Sequence, residues 1–263
     1  AKASPFAQSL LFNWIAAFMY EGDSPLAERR AAALSLDRDL LRDLLGAEEL
    51  RELLDPGALA DLELELQLLA DGRRARSADE LHDVLRRVGD LSEAELDLRC
   101  EGDGAPWLAE LLQHRRAISV VVGGEPRIVA ADDAARYRDA LGCNVPLGLP
   151  REFTEPVPHP LEALVARYAR THGPFVTHDV AQRLGISPDR ATGALVAIET
   201  EGRIVRGEFR PVASGGGSGR EWCDQEVLRQ LRRRSLAALR REVEPVEQET
   251  YARFLQGWQG IPG

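Results

Sequence analysis

After residue 77 the chain states one pattern twice, and that repeat limits what it can fold into. The first pass runs ADELHDVLRRVGDLSEAEL, then WLAELLQHRRAISVVVGGEPRIVA, then ADDAARYRDAL. The second runs PLEALVARYARTHGPFVTHDVAQRLG, then ATGALVAIETEGRIVRGEF, then EWCDQEVLRQL. Gly89 matches Gly173 as the break after a first helix. Leu91 matches Phe175 as the apolar residue before a second. HRRAISVV matches EGRIVRGEF as a helix end running into a strand. Apolar residues at helical spacing, followed by short β-rich runs, predict the same order each time. That order is helix, short apolar link, helix, turn, helix, two-stranded hairpin and a further helix.

This is the order of a winged helix, and the second copy reads more clearly. Thr177 is placed to N-cap HDVAQRLG, with Gly185 as its C-terminal stop. Ser187 caps the next helix, Pro188 takes its first position, and Asp189 complements its dipole. Gly202 ends that helix. A strand over RIVRGEFR then leads to a flexible tip, ASGGGSG, and REWC returns. The first copy has a tight wing turned by Gly123 and Gly124. A proline-rich stretch from Phe153 to Pro160 joins the copies.

Residues 5–70 read as helices only, with Ser-Pro starts at Ser4-Pro5 and Ser24-Pro25 and leucines at i, i+3, i+4. DGRRARS breaks that pattern and reads as a linker. The fold class expected is mainly α with small β-hairpins. A helical bundle over 1–72 precedes tandem winged helices over 77–142 and 159–242, and 243–263 leads to a following domain. The two ends read as cut from a longer chain.

Charge narrows the function. The 263 residues carry a formal net charge of −10, so nucleic-acid binding has to come from local patches. From Glu21 to Glu65 thirteen acids stand against five arginines. From Arg203 to Arg241 ten arginines stand against four acids. The second winged helix places Arg190 and Thr192 at the start of its third helix, where base edges are met. Arg203, Arg206, Arg210 and Arg220 fall at the wing base and edges, where a phosphate backbone runs. That third helix offers few side chains for base edges, so backbone contact of weak sequence specificity is expected, to single- or double-stranded DNA. Arg229, Arg233 and Arg240 share one side of the last helix. They suit either a nucleic-acid backbone or acidic neighbours in this chain. In the first copy, His114, Arg115 and Arg116 lie near the wing, but PWLAELL is a poor groove reader, and this copy is expected to be structural.

No self-sufficient active site emerges. Lys2 is the sole lysine, so no P-loop exists. DELH, from Asp79 to His82, opens an amphipathic helix instead of following an apolar strand, so it is no helicase box. There is no G-x-S-x-G. Cys100, Cys143 and Cys223 are scattered. Neither they nor His82, His114, His159, His172 and His178 have metal spacing. No metal, cofactor, signal peptide or membrane span is expected, and the reading is cytoplasmic.

Three phrases carry a resemblance. SPFAQSLLFNWIAAFMYEGDSPLAERRAAALSLD, PLEALVARYARTHGPFVTHDVAQRLG and REWCDQEVLRQLRRRSLAALRREVEPV resemble bacterial large helicase-related (Lhr) proteins of the actinobacterial type. These are superfamily 2 ATP-dependent DNA helicases. The resemblance covers essentially the whole chain and falls after the motor, at the start of the C-terminal extension. It implies a run of winged-helix modules similar to a DNA-glycosylase family, capable of self-association. Its ATP site and helicase motifs have no counterpart here, and no catalytic residue is carried over. The expected role is a non-catalytic DNA-binding and scaffolding segment serving a helicase core in the same protein. The alternatives are an oligomerisation or domain-docking scaffold, or part of a DNA-glycosylase-like repair module.

Overall fold

A computed structural model describes residues 51, 54–216 and 220–242. Most of the expected 1–72 bundle and all of 243–263 lie outside these residues. The described chain is mainly helical with two small antiparallel sheets. In chain order the elements are α1 (Pro56–Leu66), α2 (Ala78–Val88), α3 (Glu93–Asp97), α4 (Ala105–Gln113), β1 (Ala117–Val122) and β2 (Glu125–Ala130). They continue with α5 (Ala134–Leu141), α6 (Pro160–Thr171), α7 (Thr177–Leu184), α8 (Pro188–Thr200), β3 (Ile204–Gly207), β4 (Glu221–Asp224) and α9 (Gln225–Glu242).

Local chemistry sets the helix starts. Asp55 accepts from the Ala58 N–H ahead of α1, and Ser77 from Glu80 ahead of α2. Ser92 and Glu95 close a reciprocal capping box on α3. Ser187 caps α8 through the Arg190 N–H, with Pro188 following. Gly185 stops α7 in the left-handed conformation. Thr177 is not the cap expected of it: α7 begins after Val176, whose N–H donates to Asp179 at 3.0 Å. The Thr177 hydroxyl instead accepts from the Trp222 indole N–H at 3.0 Å.

The same element order precedes each sheet. Leu91 exchanges two backbone hydrogen bonds with Ile128 of β2, at 3.0 and 2.7 Å. Phe175 does the same with Trp222 of β4, also at 3.0 and 2.7 Å. Each sheet thus gains a one-residue third strand from the link between its first two helices. The hairpins differ in their loops. Gly123 and Gly124 close β1–β2 as a two-residue turn with φ of +60° and +86°. β3 is shorter than the RIVRGEFR expectation and stops at Gly207. Beyond it the Phe209 and Arg210 N–H groups both donate to the buried Glu221 carboxylate at 2.7 Å, and that leaves the ladder.

Burial accounts for most of the apolar run AISVVV, with Val121 the exposed exception. Ile118, Val120 and Val122 join a cluster with Val165, Ala169, Val180, Leu195 and Ile198 of the later helices. Ala117, Ile128 and Ala130 face Leu81, Leu85, Leu91 and Leu111 on the other side. One face of the first hairpin is therefore buried along its length, and the other is covered at the base but exposed at Ser119, Val121 and Pro126 toward the tip. Separately, Leu59, Leu62 and Leu66 of α1 pack on Cys223, Val227, Leu228 and Leu231 at the far end of the chain. The Ser235 hydroxyl accepts from the Asp55 N–H at 2.9 Å and fixes the same pairing of α1 with α9.

Candidate nucleic-acid interface

The arginines expected to meet a backbone occupy different environments. Arg206, on β3, pairs with Glu199 at 2.8 Å, and its guanidinium lies over the Trp222 ring, 4.1 Å from the centroid. Arg203 pairs with Glu201 at 3.3 Å, with both side chains about half exposed. Arg220 is exposed at the foot of β4. Arg206 and Arg220 line one open cleft with Gly202, Ile204 and Gln225. A phosphate at this cleft would compete with Glu199 for Arg206 and would find Arg220 outside any described ion pair.

Two of the expected contacts are engaged within the fold. Arg210 reaches inward to Glu63 at 2.6 Å and to the Pro174 carbonyl at 2.8 Å. Arg190, at the start of α8, donates to the Ala140 carbonyl at the end of α5, 2.8 Å away. The N-terminal turn of α8 therefore abuts the first half of the chain. Thr192 is exposed beside Gly193 and Val196. That outward surface has little that donates to base edges.

On α9, Leu228, Leu231, Ser235 and Leu239 are buried, while Arg229, Arg233 and Arg240 are exposed. Arg229 pairs with Glu226 one turn earlier. Arg234, which the repeat did not single out, makes a two-bonded pair with Glu65 of α1 at 2.9 and 2.7 Å. The solvated-face and backbone-binding readings of this helix thus divide by residue. Arg229 and Arg234 have acidic partners, whereas Arg233 and Arg240 are in no ion pair among the described residues.

A second polar region joins the two halves of the chain and left no trace in the sequence. Arg183, on α7, meets Asp90 at 3.0 Å and Glu95 at 2.6 Å, and also donates to the Asp90 carbonyl. Arg167, on α6, holds Asp133 with two bonds, one of 2.9 Å. Burial raises the Glu95 pKa. The Arg183 and Ser92 hydrogen bonds and the Arg183 and Arg127 charges outweigh it and hold the group at about 2. A cavity of about 70 Å³ lies in this seam, lined by Asp90, Glu95, Tyr137, Arg167, His172 and Arg183. His172 stacks on Tyr168 with ring centroids 3.7 Å apart and donates from Nδ1 to the Tyr168 carbonyl. Its burial, reinforced by the charges of Arg183 and Arg99, pulls its pKa down to about 4.

Among the described residues no group of three or more His, Cys, Asp or Glu could hold a metal ion. The three cysteines are buried. No described helix is long and apolar enough to cross a membrane.

Residues 52–156 match the winged-helix domain model of large helicase-related proteins. The chain is 50% identical over 262 residues to an "Lhr helicase/ probable uracil glycosylase" of Mycolicibacterium smegmatis, covering 99% of this chain and 17% of that protein. It is 40% identical over 261 residues to an "Lhr helicase/uracil glycosylase" of Escherichia coli, covering 98% of this chain and 16% of that protein. The chain thus spans about one sixth of the length of these curated relatives.

Proposed function

Because the chain is a segment of the Lhr type, we propose that it is a non-catalytic, DNA-binding and scaffolding part of an ATP-dependent DNA helicase involved in repair. On this reading its two halves are tandem winged helices, a view supported by the matching Leu91–Ile128 and Phe175–Trp222 bridges. Contact is to the sugar-phosphate backbone. The single observation that carries it is the open cleft at the second wing, which the half-buried Arg206 and the exposed Arg220 line together. Arg203, Arg229, Arg233 and Arg240 extend this surface. Arg210 supports it from within, and Arg190 and Thr192 add exposed groups at the start of α8.

The test is a salt titration of oligonucleotide binding by fluorescence anisotropy. Backbone contacts release counterions, so affinity should fall steeply with salt and vary little with sequence. Arg203→Ala/Arg206→Ala/Arg220→Ala should weaken binding equally across sequences. Absence of affinity at low salt sinks the reading.

The scaffold reading has its own observation: the Arg183 seam fastens α7 to the Asp90–Glu95 segment. On this reading the segment holds the neighbouring helicase core in place and supplies a homo-oligomer contact. It predicts a multimer by light scattering that survives the triple arginine substitution.

A further inference from the structure

Two open clefts, one on the first half of the chain and one between the two halves, share Arg86 and together form a basic track. One is about 700 Å³ and lies between the ends of α2 and α4 and the 148–153 loop. The other is about 430 Å³ and lies between α2, α6 and α9. Arg86, Arg87, Arg115, Arg116, Arg167 and Arg170 line them. The carboxylates lining the same clefts are Asp132, Asp224 and Glu226. Asp132 pairs with Arg86, Glu226 with Arg229, and Asp224 Oδ1 accepts the Glu226 N–H. Arg87, Arg115 and Arg170 are exposed and in no ion pair among the described residues. Three guanidiniums without a carboxylate partner among the described residues, from α2, α6 and the turn after α4, thus line adjoining clefts of a chain of net charge −10.

Helix dipoles explain a cation in the last turn of α2 and of α6, where Arg86, Arg87 and Arg170 sit. They do not explain Arg115. That residue occupies the left-handed position after α4, with φ of 54°, where α5, α7 and α8 place Gly142, Gly185 and Gly202 and α1 places the buried Leu68. The Arg116 N–H closes back on the Leu111 carbonyl at 2.8 Å, the wrapped ending that favours glycine at the position before it. An arginine there strains the backbone, and its side chain is oriented into the cleft by the Gly148 carbonyl. Strain kept at an exposed site points to function. The floor beside it is apolar, made by Leu149, Pro150 and Phe153, with His82 and His114 on the rim. Free cations along an edge, with flat apolar and ring surfaces between them, suit a single nucleic-acid strand.

We infer that this track binds the backbone of single-stranded nucleic acid, as a surface separate from the second wing. The inference rests on the reading that the segment binds nucleic acid.

The experiment uses the full 263-residue chain and a labelled single-stranded oligonucleotide. Arg87→Glu/Arg115→Glu/Arg170→Glu should lower affinity at least about tenfold at low salt and make the log–log salt slope shallower by about 2, for three lost contacts. The matching lysine triple should bind like wild type. Arg115→Gly alone should keep or raise Tm while weakening binding, an outcome a structural role for Arg115 does not give. Wild-type binding that the glutamate triple leaves intact overturns the track and spares the second-wing reading. A wild-type chain that binds no strand overturns both. Displacement by poly-glutamate as efficient as by unlabelled strand assigns the track to an acidic polypeptide and overturns the inference.

Discussion

Gly123 and Gly185 meet backbone to backbone. The tip of the first hairpin rests on the residue that ends α7, and a Cβ on Gly185 would lie 2.3 Å from the Gly123 Cα. Both residues have φ near +60°. A substitution at Gly185 therefore meets conformational strain and a clash with main chain, which cannot rotate away. Gly185→Ala is expected to cost about 2–4 kcal/mol. Gly124→Ala, with φ of +86° and open space around it, should cost only about 1 kcal/mol. Urea denaturation midpoints compare them, and equal losses would show that the close approach contributes nothing.

Arg183, like Arg167, joins the two halves electrostatically. Its 22% exposed guanidinium serves Asp90 and Glu95, which are 7% and 33% exposed. Removing it leaves a buried carboxylate without its partner, a loss of about 3 kcal/mol. Arg183→Met should show that loss. Arg183→Met with Asp90→Asn should recover part of it, because the stranded charge is then gone, whereas Glu95 keeps its pairing with Arg127. A double-mutant cycle with no coupling would mean that the seam is held by packing alone.

How far the sequence revealed this molecule depends on range. Ser187, Gly185 and Gly202 were legible because caps and stops act within one turn. The equivalence of Leu91 and Phe175 was legible because the repeat aligned them, but their bridges to Ile128 and Trp222 were not. Thr177 was misread because its partner, the Trp222 indole, arrives from a strand 45 residues later. The end of β3 was misread because Glu221 takes its amides from across the hairpin. The candidate site suffered most. Arg210 reads as a wing cation, yet its carboxylate, Glu63, is 147 residues away. The Asp90–Glu95–Arg183 seam crosses a similar gap and has no local signature.

Acid should weaken the fold through His172 before it reaches the seam carboxylates. The His172 pKa in the folded chain is about 4, against 6.5 for the free side chain. The unfolded chain therefore takes up the proton first. Stability is whole above pH 6.5 and falls as pH drops toward 4. Glu95, held at about 2, adds its own loss only below pH 4.5. Tm should thus decline between pH 7 and 5, and His172→Gln should flatten part of that decline. His82, whose pKa is lowered first by burial, contributes in the same direction, so His82→Gln serves as the comparison. An unchanged slope in His172→Gln would remove His172 from the account.

Arg210 and Arg220 lie on one wing and should separate stability from binding. Arg210 is fixed to Glu63 and to the Pro174 carbonyl, so it ties the second wing to α1. Arg210→Ala leaves that carbonyl and carboxylate without their donor, and is expected to cost about 2 kcal/mol. Arg220 is exposed at the cleft beside Arg206, and Arg220→Ala should change stability by no more than about 0.5 kcal/mol. Binding should respond in the opposite order. Arg220→Ala removes one phosphate contact and about one unit of the salt slope, while Arg210→Ala retains the slope of the wild type once folded. Thermal melts and salt titrations on the same two proteins decide the matter. If Arg210→Ala kept its stability and lost the slope, the ion pair with Glu63 would be a resting state that nucleic acid displaces, and Arg210 would join the contact surface.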